Sequence, residues 1–137
     1  MLYLTRKENF NAAHRLWNKE FSDAENNEIF GKCANPNWHG HNYDLYVTIK
    51  GIPNPKTGFV MNVRDLGKLV REHIISKVDH RNLNIDVDFL KGQIPTTENI
   101  AVAFWQQLEH KIPNGILHCV KLCETETIYV EYFGEPL

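Results

Sequence analysis

Residues 41–50 read His41-Asn42-Tyr43-Asp44-Leu45-Tyr46-Val47-Thr48-Ile49-Lys50, and this stretch decides the fold of the 137-residue chain. Every second residue from His41 onward carries an imidazole, aromatic or aliphatic side chain, and the intervening residues are mainly polar. A period of two is typical of a β-strand with one buried face. The stretch therefore predicts a half-buried strand on which His41 shares the inward, apolar face.

The flanking patterns predict the rest of an antiparallel sheet and its covering helices. Further strands are predicted at residues 2–14, 116–124 and 127–133, with a short one at Phe59–Met61; helices are predicted at about 23–30, at about 63–77 and after Pro95. Two amphipathic helices packed on one face of a four-stranded antiparallel sheet make an α+β fold. No linker or repeat divides the chain, so we expect one domain spanning residues 1–137.

Composition narrows the class of protein. Hydrophobic residues make up 42% of the chain and charged residues 23%, which is typical of a folded domain. A net charge of -2 predicts no nucleic-acid partner. An apolar run of about 20 residues, as a membrane span requires, is absent, and three cysteines, an odd number, favour a reducing compartment. We therefore expect a cytoplasmic protein that binds no membrane.

Three histidines are candidate metal ligands. His39 and His41 are two residues apart at the start of the regular strand, so their side chains project from the same face. His14 ends the first predicted strand on its apolar register, and strands adjacent in sequence usually pair. Three imidazoles with an open position are typical of catalytic zinc. The alternative is that His39 and His41 are core histidines whose hydrogen bonds the protein itself satisfies.

Cys33 precedes His39 by six residues in an irregular segment. Its thiol has three possible roles: a buried structural group, a fourth ligand that closes a structural zinc site, or a thiolate outside the metal shell that acts as base or nucleophile. Spacing alone does not choose between the last two.

Two further groups of residues are candidates for acid–base chemistry and ligand binding. Asp79 and His80 form a carboxylate–imidazole pair after the first long helix, where they either end the helix or act as a proton relay. Glu124 ends a predicted strand on its inner register. A carboxylate there is either exposed or binds two N–H donors of a ligand such as a pterin or guanine edge.

Four segments in this order resemble the 6-pyruvoyl-tetrahydropterin synthase family. They are Phe10-Asn11-Ala12-Ala13-His14-Arg15-Leu16, the stretch from Cys33 through Trp38-His39-Gly40-His41 to Tyr43, Asp79-His80-Arg81-Asn82-Leu83-Asn84, and Pro95-Thr96-Thr97-Glu98-Asn99. The resemblance runs from about residue 8 to residue 133, and the combination is far more specific than any one segment.

This resemblance implies the tunnelling fold, in which the sheets of three subunits close a barrel and two trimers stack into a homohexamer. It implies zinc as cofactor, bound by His14, His39 and His41, with Cys33 as a catalytic thiolate. It also implies that Asp79 and His80 reach the site from a neighbouring subunit. Glu124 would anchor the pterin ring, with Thr96 and Thr97 beside that pocket.

The implied reaction converts 7,8-dihydroneopterin triphosphate to 6-pyruvoyl-tetrahydropterin and eliminates triphosphate, as in tetrahydrobiopterin synthesis. The related 6-carboxytetrahydropterin synthases of queuosine biosynthesis use the same substrate and are the alternative. Five residues separate Cys33 from His39, a longer spacing than those enzymes commonly have, which favours the pyruvoyl-forming activity. A closed, non-catalytic zinc module and a pterin-binding protein without chemistry are further hypotheses.

Overall fold

The computed structural model describes residues 1–137 and contains five strands and four helices. The strands are β1 (Leu2–His14), β2 (His39–Gly51), β3 (Arg81–Asn82), β4 (Ile116–Cys123) and β5 (Tyr129–Tyr132). The helices are α1 (Asp23–Phe30), α2 (Val63–Val70), α3 (Ser76–Val78) and α4 (Thr97–Leu108), with a π-helical turn at Arg71–Ile75 and 3₁₀ turns at Gly31–Ala34 and Asp88–Leu90. None of the helices combines the length and apolar character that crossing a membrane requires.

The strands form one open sheet in the order β3-β1-β2-β4-β5. The four longer strands pair antiparallel, and β3 pairs parallel with the end of β1. In the β1–β2 register His14 lies opposite His39, and Ala12 lies opposite His41. This register places the ends of two long strands, and the histidines on them, side by side.

The core lies between one face of the sheet and helices α2 and α4. Alternate residues of β2, from Tyr43 to Ile49, are fully buried, as the period of two predicts. The two helices and the π-helical turn after α2 contribute a matching apolar set, in which the largest buried side chains are Leu66, Ile74, Ile100, Phe104 and Leu108. The predicted α+β class, with helices on one face of the sheet, is therefore confirmed.

The predicted strand at Phe59–Met61 is wrong. Residues 59–61 pair with no strand, although Met61 is buried and Val60 packs on the core. The reason is that β2 already has β1 on one side and β4 on the other, so the chain that returns after Gly51 finds no free edge beside it. The apolar residues there pack through their side chains alone.

The predicted sheet of four strands is also incomplete. The segment 79–93, for which no strand is predicted, contributes the two-residue strand β3 and a 3₁₀ turn. Its three buried side chains are Leu83, Val87 and Leu90, spaced by four and three residues. These isolated apolar residues attach an otherwise polar segment to the core and hold it beside the end of β1.

Candidate metal centre

The rings of His14, His39 and His41 converge at the end of the β1–β2 pair. Their centroids are separated by 4.5 Å (His14–His39), 5.1 Å (His14–His41) and 5.0 Å (His39–His41). One ring nitrogen from each lies within 4.8 Å of the others. This geometry suits a single metal ion held by three imidazoles.

Local sequence explains how the three rings meet. His39 and His41 occupy one face of β2, and the antiparallel register brings His14 opposite His39. Trp38, just before the strand, has a φ of 68°, a left-handed conformation that is uncommon outside glycine. The strained residue lies at the turn from the Asn35–Asn37 segment into β2 and so sets where His39 begins the strand.

The tautomer of His14 is set by a backbone carbonyl. His14 is fully buried, and its Nδ1 lies 2.8 Å from the Pro95 carbonyl oxygen, so Nδ1–H is the donor. Nε2 then carries the lone pair, which is the form that binds metals. Tyr43 supports this end of the ring: its hydroxyl lies 3.5 Å from His14 Nδ1, and its own ring stacks on Phe10.

The other ring nitrogens at the centre are buried without a hydrogen-bond partner. They are His14 Nε2, both nitrogens of His39, and His41 Nε2. His41 Nε2 lies 3.2 Å from Glu124 Oε1, but without the alignment of a hydrogen bond. Unpartnered buried polar groups cost about 1–3 kcal/mol each, and a bound cation would relieve that cost. The histidines therefore fit a metal site and do not fit the alternative of satisfied core residues.

Burial, with repulsion from neighbouring imidazoles, lowers the pKa values of His14 and His39 and favours their neutral forms. Burial lowers the pKa of His14 below its usual value, and the bond to Pro95 opposes this only in part. Burial also lowers the pKa of His39, and the nearby His41 adds to the effect. A neutral imidazole is the form that coordinates metals.

Acidification should therefore destabilise the metal-free protein between pH 7 and 5. The pKa values of His14 and His39 are lowered in the folded state, so the unfolded chain binds more protons as the pH falls through about 6.5, the usual histidine pKa. Urea unfolding at several pH values measures the slope. His39→Gln should reduce it, whereas His110→Gln, in which an exposed ring is replaced, should not. An unchanged slope in His39→Gln would contradict this prediction.

Cys33 lies in the 3₁₀ turn Gly31–Ala34, and its carbonyl accepts a 2.8 Å hydrogen bond from the Leu16 amide. Its sulfur does not belong to the group of mutually close ligand atoms. Burial, and secondarily the Glu124 carboxylate, raise the pKa of its thiol. In the chain alone the thiol is thus protonated at neutral pH, and a neighbouring cation would act in the opposite direction.

Glu124 lies directly after β4, and its carboxylate joins two of the candidate residues. Oε1 is 3.2 Å from His41 Nε2, and Oε2 accepts a short hydrogen bond from the Thr97 hydroxyl. Thr97 is buried at the first turn of α4. Thr96 has a different role, because its hydroxyl accepts a hydrogen bond from the Asn99 amide and caps α4.

Asp79 and His80 lie at the sheet edge, away from the imidazole cluster. Asp79 Oδ1 accepts one hydrogen bond from the Asn11 backbone amide and pairs with His80 Nδ1 at 3.0 Å. The bond from Asn11, and secondarily the contact with His80, lower the pKa of the Asp79 carboxyl. The His80 side chain is 82% exposed, and its φ is 59°. It adjoins a groove lined by Asn42 and Asp44, which face away from the core. Within one chain this pair does not face the histidines.

Pro95 and Tyr43 were not singled out as site residues by the sequence. Pro95 acts through its carbonyl, which side-chain patterns do not reveal, and it lies 81 residues from His14 along the chain. Tyr43 is fully buried, as the strand pattern predicts, but nothing in that pattern indicates its contact with His14.

The chain is similar in sequence to known proteins over almost its whole length. A family model described as 6-pyruvoyl tetrahydropterin synthase matches residues 3–135. A Homo sapiens protein named 6-pyruvoyl tetrahydrobiopterin synthase is 47% identical over 132 residues, which cover 96% of this chain and 91% of the human protein. A Dictyostelium discoideum protein of the same name is 44% identical, with 96% of each chain covered.

A solved structure is also similar to this chain. The Caenorhabditis elegans 6-pyruvoyl tetrahydropterin synthase superposes with a TM-score of 0.92 at 39% identity. The match covers 98% of this chain and 96% of the nematode chain. The similarity therefore extends over the whole fold, including the strands that bring the histidines together.

Proposed function

Because this chain belongs to the 6-pyruvoyl tetrahydropterin synthase family, we propose that it converts 7,8-dihydroneopterin triphosphate to 6-pyruvoyl-tetrahydropterin and eliminates triphosphate. The observation that carries the proposal is the convergence of three histidines next to Glu124, in a group of mutually close ligand atoms that does not include the Cys33 sulfur. This arrangement combines a metal site, a carboxylate for ligand binding and an uncoordinated thiol.

His14, His39 and His41 would hold a zinc ion. Imidazole nitrogens in a three-ligand set suit zinc, and the Pro95 carbonyl behind His14 is the kind of outer contact that orients a metal-binding ring. When bound, the ion supplies Lewis-acid activation of the substrate's hydroxyl-bearing side chain. The contribution of the protein is the fixed tautomer of His14 and the unpartnered nitrogens of the other two rings.

Glu124 would bind the pterin ring. Its two oxygens suit the adjacent N–H donors of a pterin, and a bidentate contact fixes the orientation of the ring as well as adding affinity. The Thr97 hydroxyl holds the carboxylate through Oε2, and α4 carries Thr97 on its buried first turn. We assign Thr97 the role of orienting Glu124, and Thr96 that of capping the helix.

Cys33 would transfer protons at the substrate side chain. A thiol near a bound cation has a lowered pKa, which opposes the effect of burial and of Glu124 in the chain alone. Such a group can take a proton from carbon or oxygen and return it in a later step without any change in metal coordination.

Asp79 and His80 would complete the site of a neighbouring copy. His80 is exposed at the sheet edge and paired with Asp79, which suits an imidazole that serves another subunit. The open sheet has free edges, which edge-to-edge contact between copies would cover. A barrel-forming trimer, doubled to a homohexamer, is the assembly that we propose.

Product analysis tests the proposed reaction. The zinc-loaded protein is incubated with 7,8-dihydroneopterin triphosphate, and the released triphosphate and the mass of the pterin product are measured. We expect stoichiometric triphosphate and the pyruvoyl product. Acetaldehyde with 6-carboxytetrahydropterin would replace the proposed activity by the queuosine-pathway alternative, and no turnover by fully loaded protein would refute both.

Substitution of Glu124 should weaken pterin binding. Glu124→Gln keeps the size of the side chain but removes the charge and one acceptor, and a hydrogen bond to a charged group contributes about 1.5–3 kcal/mol. We therefore expect the dissociation constant of neopterin, followed by its fluorescence, to rise about 10- to 100-fold. Glu126→Gln, in the same turn but exposed, should bind like the parent. Unchanged affinity in Glu124→Gln at equal zinc content would exclude Glu124 as the anchor.

A further inference from the structure

Asn84 holds the backbone of Arg15 through both ends of its side-chain amide. Its Oδ1 accepts a 2.9 Å hydrogen bond from the Arg15 amide, and its Nδ2 donates a 2.8 Å bond to the Arg15 carbonyl. This pair of bonds extends the β1–β3 pairing by one position beyond the last backbone contact, in which the Leu83 amide donates to Ala13. The residue directly after His14 is therefore clamped by a side chain 69 residues away.

The backbone of Asn84 is itself held in place. The Asn84 backbone amide donates to Asn82 Oδ1 at 3.0 Å, and the Asn82 amide donates to Asp86 Oδ2 at 2.9 Å. These local bonds fix the backbone of the turn after β3, and with it the point from which the Asn84 side chain reaches Arg15.

Arg15 and the next residue, Leu16, are hydrogen-bonded to the turn that carries Cys33. Its Nε donates a 2.9 Å bond to the carbonyl of Ala34, and the Leu16 amide donates a 2.8 Å bond to the carbonyl of Cys33. The Arg15 guanidinium also stacks on Trp17, with Cζ 4.0 Å from the ring centroid. The stacking restricts the rotamer of the long side chain and thereby directs Nε towards Ala34.

We propose that Arg15 and Asn84 are positioning residues that fix Cys33 relative to the histidine cluster, and this inference rests on the proposed function. The same stretch of chain supplies His14 as a ligand and, one and two residues later, the donors that hold the Cys33 turn. The thiol and the metal site are thus connected through residues 14–16 and not only through β2. The clamp by Asn84 keeps that connection rigid.

The positive charge of Arg15 has another possible use, the attraction of the substrate triphosphate. The two roles predict different kinetics. A phosphate contact depends on charge and acts mainly on KM, whereas a positioning contact depends on the Nε–H donor and acts on kcat. Arg15→Lys separates them because it keeps the charge and removes the planar group that bonds Ala34 and stacks on Trp17.

The experiment compares Arg15→Lys, Asn84→Ala and the isosteric Asn84→Asp in zinc-loaded protein. Asn84→Asp retains the acceptor but faces the Arg15 carbonyl with a second acceptor, so it should break half of the clamp without changing its volume. Because small displacements of a catalytic group are costly, we expect kcat to fall about tenfold or more with KM nearly unchanged. Arg64→Lys and Asn114→Ala, both at exposed positions, are the matched controls.

A second readout does not depend on turnover. Iodoacetamide labelling, resolved by peptide mass spectrometry, reports the exposure of Cys33, with Cys123 in the same chain as internal reference. We expect several-fold faster labelling of Cys33 in all three variants and no change at Cys123. Parent-like kcat and labelling in Arg15→Lys and Asn84→Asp would overturn the proposal, as would a raised KM with unchanged kcat and labelling. If the parent shows no turnover, the proposed function fails, and labelling still decides whether the clamp holds Cys33.

Discussion

Replacement of Cys33 with alanine should abolish turnover and leave the metal in place. A positioned acid–base group contributes about 10²- to 10⁴-fold to a rate, so we expect kcat to fall by at least about 10²-fold. The sulfur lies outside the group of convergent ligand atoms, so zinc content should remain at the parent's value. Triphosphate release and elemental analysis of the same sample measure the two quantities together.

Cys123→Ala is the control for Cys33→Ala. Cys123 precedes Glu124 in the chain, but its half-buried thiol projects from the opposite, outer face of the sheet, near Lys121 and Asp44. Cys123→Ala should therefore retain activity within about twofold of the parent. If Cys33→Ala lost its zinc and unfolded, Cys33 would instead be a ligand of a closed structural site.

His39→Ala should remove metal binding and the stabilisation that accompanies it. A ligand that binds only the folded state at 100 times its dissociation constant stabilises the protein by about 2.7 kcal/mol, and the variant should lose this shift. The metal-free variant should unfold no more readily than the metal-free parent, because His39 contributes two buried nitrogens without partners. Thermal unfolding with zinc and with chelator gives both comparisons.

His110→Ala is the matched control, since its ring is exposed and remote from the cluster. It should keep the zinc-dependent increase in melting temperature. A normal zinc-dependent increase in His39→Ala would show that the metal binds elsewhere, and a marked loss of metal-free stability would show that His39 serves mainly in packing.

The sequence is sufficient to predict that the three histidines lie close together, because strand geometry is regular. A period of two places His39 and His41 on one face, and the inward register of β1 adds His14. The same reasoning gave a wrong prediction at residues 59–61. Their pattern is typical of a strand, but both sides of β2 are already paired with other strands. Periodicity predicts which face is buried, but it does not reveal whether an edge is free.

Contacts that depend on backbone atoms of distant segments were beyond sequence reasoning. The Pro95 carbonyl that orients His14, and the Arg15 backbone that Asn84 clamps, have no signature in side-chain pattern. The position of Asp79 and His80 at the sheet edge likewise depends on the hydrogen bonds between the Asn11 backbone and these two residues. The residue pattern alone does not show that Asp79 and His80 face away from the histidines of their own chain. The family resemblance implies that they serve a neighbouring subunit, and their position in the fold agrees with it.

X-ray absorption at the zinc edge tests the central claim most directly, because it reports which atoms bind the ion in solution. For the loaded protein we predict a shell of nitrogen and oxygen at about 2.0–2.2 Å, with the multiple-scattering pattern of three imidazoles and without sulfur. A sulfur scatterer at about 2.3 Å, or a shell with fewer than three imidazoles, would contradict a site built from His14, His39 and His41 with Cys33 left free.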